Sequence, residues 1–217
     1  MNQPCKEPKQ HGEQASEGGF FRRAFWNLYA IIYDRIPAHF RPYSLQLQRV
    51  FDLVSSRHDP EHTDLLDAGC GTGNYMLRFA RAGYSVTGMD NSPGMLRRAA
   101  KKLDALPETE EEASSDSPSL YRASLEQKLP FDDGSFDCIV NINALYMLDN
   151  PDDALEEFYR VLRPGGTLVI SHPRRIPSMK EILADHARSF GFLSVVRPIA
   201  AFALIALFNW FIFRFSK

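Results

Sequence analysis

A chain of 217 residues has room for one substantial hydrophobic core and little room for two. With 44% hydrophobic and 24% charged residues and a formal charge of −2, it reads as an ordinary globular protein, without the strongly basic face of a nucleic-acid binder. Cys5, Cys70 and Cys138 are too few and too irregularly spaced for a disulfide framework or a zinc site, which points to a reducing cytoplasm.

Residues 1–19 are polar, with no apolar stretch to serve as a secretion signal, and are expected to be a disordered tail. From Phe20 the composition changes. Phe21, Phe25, Leu28 and Ile32 recur at helical spacing, widened by Trp26, Tyr29 and Tyr33, and a second helix is expected over Tyr43–Ser55 with Leu47, Val50, Phe51 and Val54 on one side. Residues 20–60 thus form an N-terminal helical segment.

Residues 61–175 alternate strands and helices. Asp64–Ala68 reads as a strand, Gly69–Gly73 as a glycine turn, Asn74–Ala82 as a helix and Tyr84–Met89 as a second strand. Ser92-Pro93 opens another helix, a hydroxyl N-cap followed by proline at the first helical position, continued by Met95, Ala99 and Leu103. The acidic stretch Pro107–Ser119 reads as a surface loop. Strands follow at Ser119–Ala123 and Phe136–Ile142, then a helix opened by Asn150-Pro151 and stopped by Pro164-Gly165-Gly166, then a strand at Thr167–Ser171. This alternation predicts an α/β fold with a doubly wound, mostly parallel sheet and right-handed crossovers.

Within that pattern, Leu65-Leu66-Asp67-Ala68-Gly69-Cys70-Gly71-Thr72-Gly73 carries the strongest site signal. Alternate glycines after a strand let the backbone turn sharply and leave no Cβ between main chain and ligand, and the next helix aims its N-terminal amides at the same place. Asp90 closes the second strand about twenty residues on, where a carboxylate can accept both hydroxyls of a ribose.

The runs LLDAGCGTGNY, VTGMDNSPGML, LPFDDGSFDCIV and EEFYRVLRPGGTLVIS, in this order, resemble the class I methyltransferases that use S-adenosylmethionine, across Asp64–Ser171. Among these the chain is similar to the small-molecule group that includes the ubiquinone and menaquinone C-methyltransferases. The resemblance implies a Rossmann-like fold, S-adenosyl-L-methionine as cofactor and a small-molecule acceptor. It places the methionyl end of the cofactor over Asp67, Gly69, Cys70, Gly71, Thr72 and Gly73, the ribose at Asp90 and Asn91, and the adenine at Ser124 and Leu125. The family often has an aspartate where Ser124 stands, and a serine hydroxyl is a weaker, neutral acceptor. Tyr33 and Asp34 match a Tyr-Asp pair of the lid over the cofactor, which makes residues 20–60 a helical lid.

Asn141 and Asn143, after the fourth strand, either contact the methionyl group or substrate, or cap the strand end. His172 is either a general base or a polar surface residue. Pro198–Phe213 is apolar except for Asn209, with Arg197, Arg214 and Lys217 flanking it. As a helix it would cover on the order of 24 Å, short of a hydrocarbon core of ~30 Å. A helix at the membrane surface, over the substrate cleft or in the core accommodates it. Residues 176–217 leave little room for the last two strands of the family's sheet, so that sheet is expected to be cut short or the chain to have lost its end. The acceptor is then a lipophilic small molecule, with a soluble metabolite, or a degenerate cofactor-binding module acting through a partner, as the alternatives.

Overall fold

The computed structural model describes Ala30, Asp34, residues 41–106, residues 118–172 and Arg188. The polar N-terminal stretch, Tyr33 with most of the first aromatic segment, the acidic stretch 107–117 and the apolar run 198–213 lie outside the described residues.

Helix α1 (Arg41–Ser55) precedes a short 3-10 turn (Pro60–His62) that Asp59 caps. Strand β1 (Asp64–Ala68), helix α2 (Asn74–Ala80), strand β2 (Ser85–Asp90) and helix α3 (Pro93–Leu103) follow. Strands β3 (Ser119–Arg122) and β4 (Phe136–Ile142), helix α4 (Pro151–Val161) and strand β5 (Leu162–Ser171) complete the order. Ser92 accepts from the Met95 amide at 3.2 Å and Asn150 from the Asp152 amide at 3.3 Å, each followed by the proline that pre-sets the first helical φ.

All strand pairs are parallel, in the order β3-β2-β1-β4-β5. The chain therefore winds outward in one direction from β1 and in the other from β4. In open sheets of this kind, ligands sit at the C-terminal ends of the strands flanking such a switch point. Alternation sends Leu65, Cys138, Val140 and Ile142 to one face, under α1 and α2, where Val50, Val54, Met76 and Phe79 meet them. Leu66, Ala68 and Ile139 go to the other face, under Phe158 and Val161 of α4. Helix α1 belongs to the first layer: Phe51 lies 5.5 Å from the Phe79 ring, and the Arg78 guanidinium sits 4.0 Å above Phe51.

Strand β5 begins earlier than the sequence pattern predicts. Leu162 already pairs with Phe136, and Cys138 next pairs with Thr167, so Arg163–Gly166 bulge out opposite Asp137. A Cβ on Gly166 would lie 2.9 Å from the Asp137 carbonyl oxygen, which is why the bulge needs glycine there. Its Arg163 bonds Asp64 at 2.9 Å and also Asp137, tying together the N-terminal ends of β1 and β4. The opposite ends, where the loops carry the glycine turn, remain available for ligands.

Candidate cofactor site

The turn after β1 is built by backbone and carboxylates together. Gly69 and Cys70 both donate their amides to the Met89 carbonyl of β2 at 2.8 Å, while Gly69, Gly71 and Gly73 take φ of +83°, +55° and +78°. A Cβ on Gly69 would lie 2.7 Å from the Ala144 methyl carbon, whereas one on Gly71 would meet nothing within 4 Å. Gly69 is therefore fixed by packing, and Gly71 presents bare backbone to an open face.

Asp90 stands beside that face. Its Oδ2 accepts from the Gly71 amide at 3.0 Å and its Oδ1 from the Ser92 amide at 2.8 Å. A carboxylate offers about four lone-pair sites, so these bonds orient Asp90 and leave it capacity for a further donor. Burial raises its pKa, against the lowering effect of the Ser92, Gly71 and Asn91 amides. Ser124 and Leu125 come close because the Ala123 amide bonds the Asp90 carbonyl at 3.3 Å, and the Leu125 side chain lies 3.6 Å from the Cβ position of Gly69. The Ser124 hydroxyl also receives the Glu126 amide at 3.2 Å.

Asp67 lies beneath the turn, 2% exposed, accepting the Met76 amide at 3.0 Å. Burial, outweighing that hydrogen bond and aided by the charge of Asp90, pushes its pKa up to about 7. Folded chain thus keeps a proton on Asp67 up to about pH 7, while unfolded chain releases it near the ordinary 3.8. Between these values the folded state binds more protons, so this residue makes stability fall as pH rises. Asp67→Asn is expected to gain on the wild type by roughly 2–4 kcal/mol between about pH 4 and pH 7, at ~1.4 kcal/mol per unit. Urea unfolding across that range checks it, and parallel stability curves would refute it.

Thr72 is 1% exposed, and its hydroxyl donates to Asp34 at 2.5 Å. Asp34 thus lies against the glycine turn. Asn141 and Asn143 part ways. The Asn141 side chain is wholly buried, donating to the Ala68 carbonyl at 2.8 Å and accepting the Leu145 amide at 3.1 Å. These two bonds fasten the exit of β4 to the end of β1, as a strand-end role requires, and the amide nitrogen stays beside the turn, 3.8 Å from the Cβ position of Gly69. Asn143, the one described non-glycine residue with positive φ (58°), exchanges weak bonds with Gln46 of α1, which donates to Ser171 at 2.8 Å. His172 follows β5, exposed, with β4 standing between that strand and β1. The Gln46–Asn143–Ser171 cluster escapes sequence reading because its members are 97 and 125 residues apart.

Among the described residues, a five-stranded parallel sheet, a glycine turn at its switch point and an acid ending β2 form the arrangement that the resemblance to class I S-adenosylmethionine-dependent methyltransferases implies. Residues 66–170 match the family described as "Methyltransferase domain". The chain is similar to a demethylmenaquinone methyltransferase of Streptomyces avermitilis, 40% identical over 116 residues that cover 52% of this chain and 45% of the relative. It is also similar to a malonyl-[acyl-carrier protein] O-methyltransferase of Laribacter hongkongensis, 38% identical over 153 residues that cover 69% of this chain and 49% of that one. The chain thus spans about half the length of these curated relatives. The solved structure of an S-adenosylmethionine-dependent methyltransferase from Aquifex aeolicus shares the fold, with a TM-score of 0.52 and 22% identity over 70% of this chain and 86% of that one.

The residues present fit that cofactor. The open face of Gly71 admits a ligand against the main chain, and Asp90, oriented by backbone amides, has acceptor capacity left for a ribose hydroxyl. The Asp90 carboxylate gives this side of the turn a negative character suited to a cationic sulfonium.

Proposed function

We propose that this chain transfers a methyl group from S-adenosylmethionine to a small lipophilic acceptor. The observation that carries the cofactor half is the juxtaposition of bare Gly71 backbone with the oriented Asp90 carboxylate. Two things support the lipophilic half: the apolar run 198–213 and the similarity to an enzyme named for demethylmenaquinone. No helix among the described residues is long and apolar enough to cross a membrane. The run 198–213 lies outside them and, as a helix, would fall short of a bilayer's hydrocarbon thickness, which favours contact at the membrane surface.

The bound cofactor supplies an activated methyl group. What the protein adds is alignment and exclusion of water. Asp90 would hold the ribose, Ser124 and Leu125 would flank the adenine, and the turn from Gly69 to Gly73 would seat the methionyl end. His172 is the candidate base for an acceptor that must lose a proton.

Calorimetry should show binding of S-adenosylhomocysteine and none of NAD. With labelled S-adenosylmethionine, label should pass to a vesicle-borne prenylated hydroquinone in preference to a malonyl thioester on an acyl carrier. NAD binding alone would overturn the cofactor assignment. Transfer only to the carrier thioester would favour the second curated relative's chemistry, and cofactor binding with transfer to neither would favour a binding module.

A further inference from the structure

The Lys102 side chain belongs to no part of the site described so far, yet it reaches the glycine turn from α3. Its ammonium donates to Asp34 Oδ1 at 2.7 Å, to Asn74 Oδ1 at 2.7 Å and to the Thr72 hydroxyl oxygen at 3.1 Å. An ammonium has three donors and no acceptor, so this pocket of three oxygens occupies it fully. The same Asp34 oxygen also receives the Thr72 hydroxyl at 2.5 Å and lies 3.5 Å from the Asn74 amide nitrogen, which donates at 3.1 Å to Tyr43 of α1. Four parts of the chain meet here: the segment ahead of α1, α1 itself, the turn leading into α2, and α3.

We propose that Lys102 is a positioning residue for the cofactor turn, clasping Asp34 onto Thr72 and so setting how long the cofactor stays bound. The proposal rests on reading the turn as the S-adenosylmethionine site.

Two features separate this contact from an ordinary surface ion pair. Lys102 and Asp34 are 68 residues apart, so the pair closes a long loop of chain instead of decorating one helix. Its third member, Thr72, stands between the open Gly71 and the packed Gly73, within the turn itself. The Lys102 and Asp34 side chains are 26% and 27% exposed. Water and salt therefore reach the pair, so its strength depends on ionic strength. Burial lowers the Lys102 pKa, partly countered by Asp34.

The test is the dissociation rate of S-adenosylhomocysteine, followed by competition, for the wild type, Lys102→Met, Asp34→Asn, the double variant and Lys102→Arg. Each single variant is expected to speed release about tenfold, and the double variant no more than either, because both remove one clasp. Lys102→Arg should recover part of the residence time. Raising salt from about 0.05 M to about 1 M should speed release from the wild type and leave Lys102→Met unchanged. A merely structural lysine would not move that salt dependence. Unchanged release in Lys102→Met, or effects that multiply in the double variant, would overturn the clasp while leaving the cofactor site intact. An effect of Lys102→Met that Asp34→Asn does not share would mean that Lys102 touches the cofactor directly, and would also overturn it. A wild-type chain that does not bind S-adenosylhomocysteine would overturn the cofactor reading and the clasp together.

Discussion

Replacing Asp90 by alanine should cost about a hundredfold or more in affinity for S-adenosylmethionine, with hydrogen bonds to a charged acceptor worth about 1.5–3 kcal/mol each. Two losses combine. The ribose hydroxyls lose their acceptor, and the Gly71 and Ser92 amides lose the carboxylate that holds the turn against the end of β2. Asp90→Asn separates them, because its carbonyl oxygen can still accept one amide while the charge is gone. The expected order of dissociation constants is wild type, then Asp90→Asn, then Asp90→Ala, with each variant folded by circular dichroism. Equal affinities across the three would reduce Asp90 to a solvated strand end.

Two glycines of the same turn should fail in opposite ways. At Gly69 a side chain meets both a left-handed φ and the Ala144 methyl carbon at 2.7 Å. Gly69→Ala should therefore lose roughly 2–4 kcal/mol of stability, about 1–2 from the backbone and the rest from overpacking. At Gly71 the φ is also left-handed but the space is empty. Gly71→Ala should lose only the backbone part, about 1–2 kcal/mol, and yet bind cofactor more than tenfold more weakly, since the new methyl stands where the ligand approaches. Urea denaturation paired with calorimetry of S-adenosylhomocysteine reads both quantities. The assignment of Gly71 to the cofactor face fails if its alanine variant binds as tightly as the wild type.

The sequence made legible those parts of the fold whose causes are local. The starts of α3 and α4 are legible in Ser92-Pro93 and Asn150-Pro151 because cap and proline act within one turn of helix. Strands β1, β2 and β4 fall at or within a residue of their expected limits because buried parallel strands are short apolar runs. The start of β5 was not legible. Pro164-Gly165-Gly166 looks like a break before a strand, and only the distant Asp137 and Asp64 make a bulge of it. The two readings of Asn141 could not be separated for the same reason, since its partner is the Ala68 carbonyl on a neighbouring strand. Lys102 carried no signal in the sequence, because its partner Asp34 lies 68 residues away and meets it only once α3 is packed beside the turn.

The closeness of Asp67 to Asp90 bears on turnover as well as on affinity. In the proposed reaction the donor arrives as a sulfonium cation and leaves as a neutral thioether, so the by-product carries one positive charge fewer. The Asp90 carboxylate beside the turn holds the charged species more tightly than the spent one. Exchange of by-product for fresh donor is thereby favoured without any movement of the sheet. That preference should sharpen in mildly alkaline solution, where Asp67, protonated up to about pH 7, adds its charge to that of Asp90.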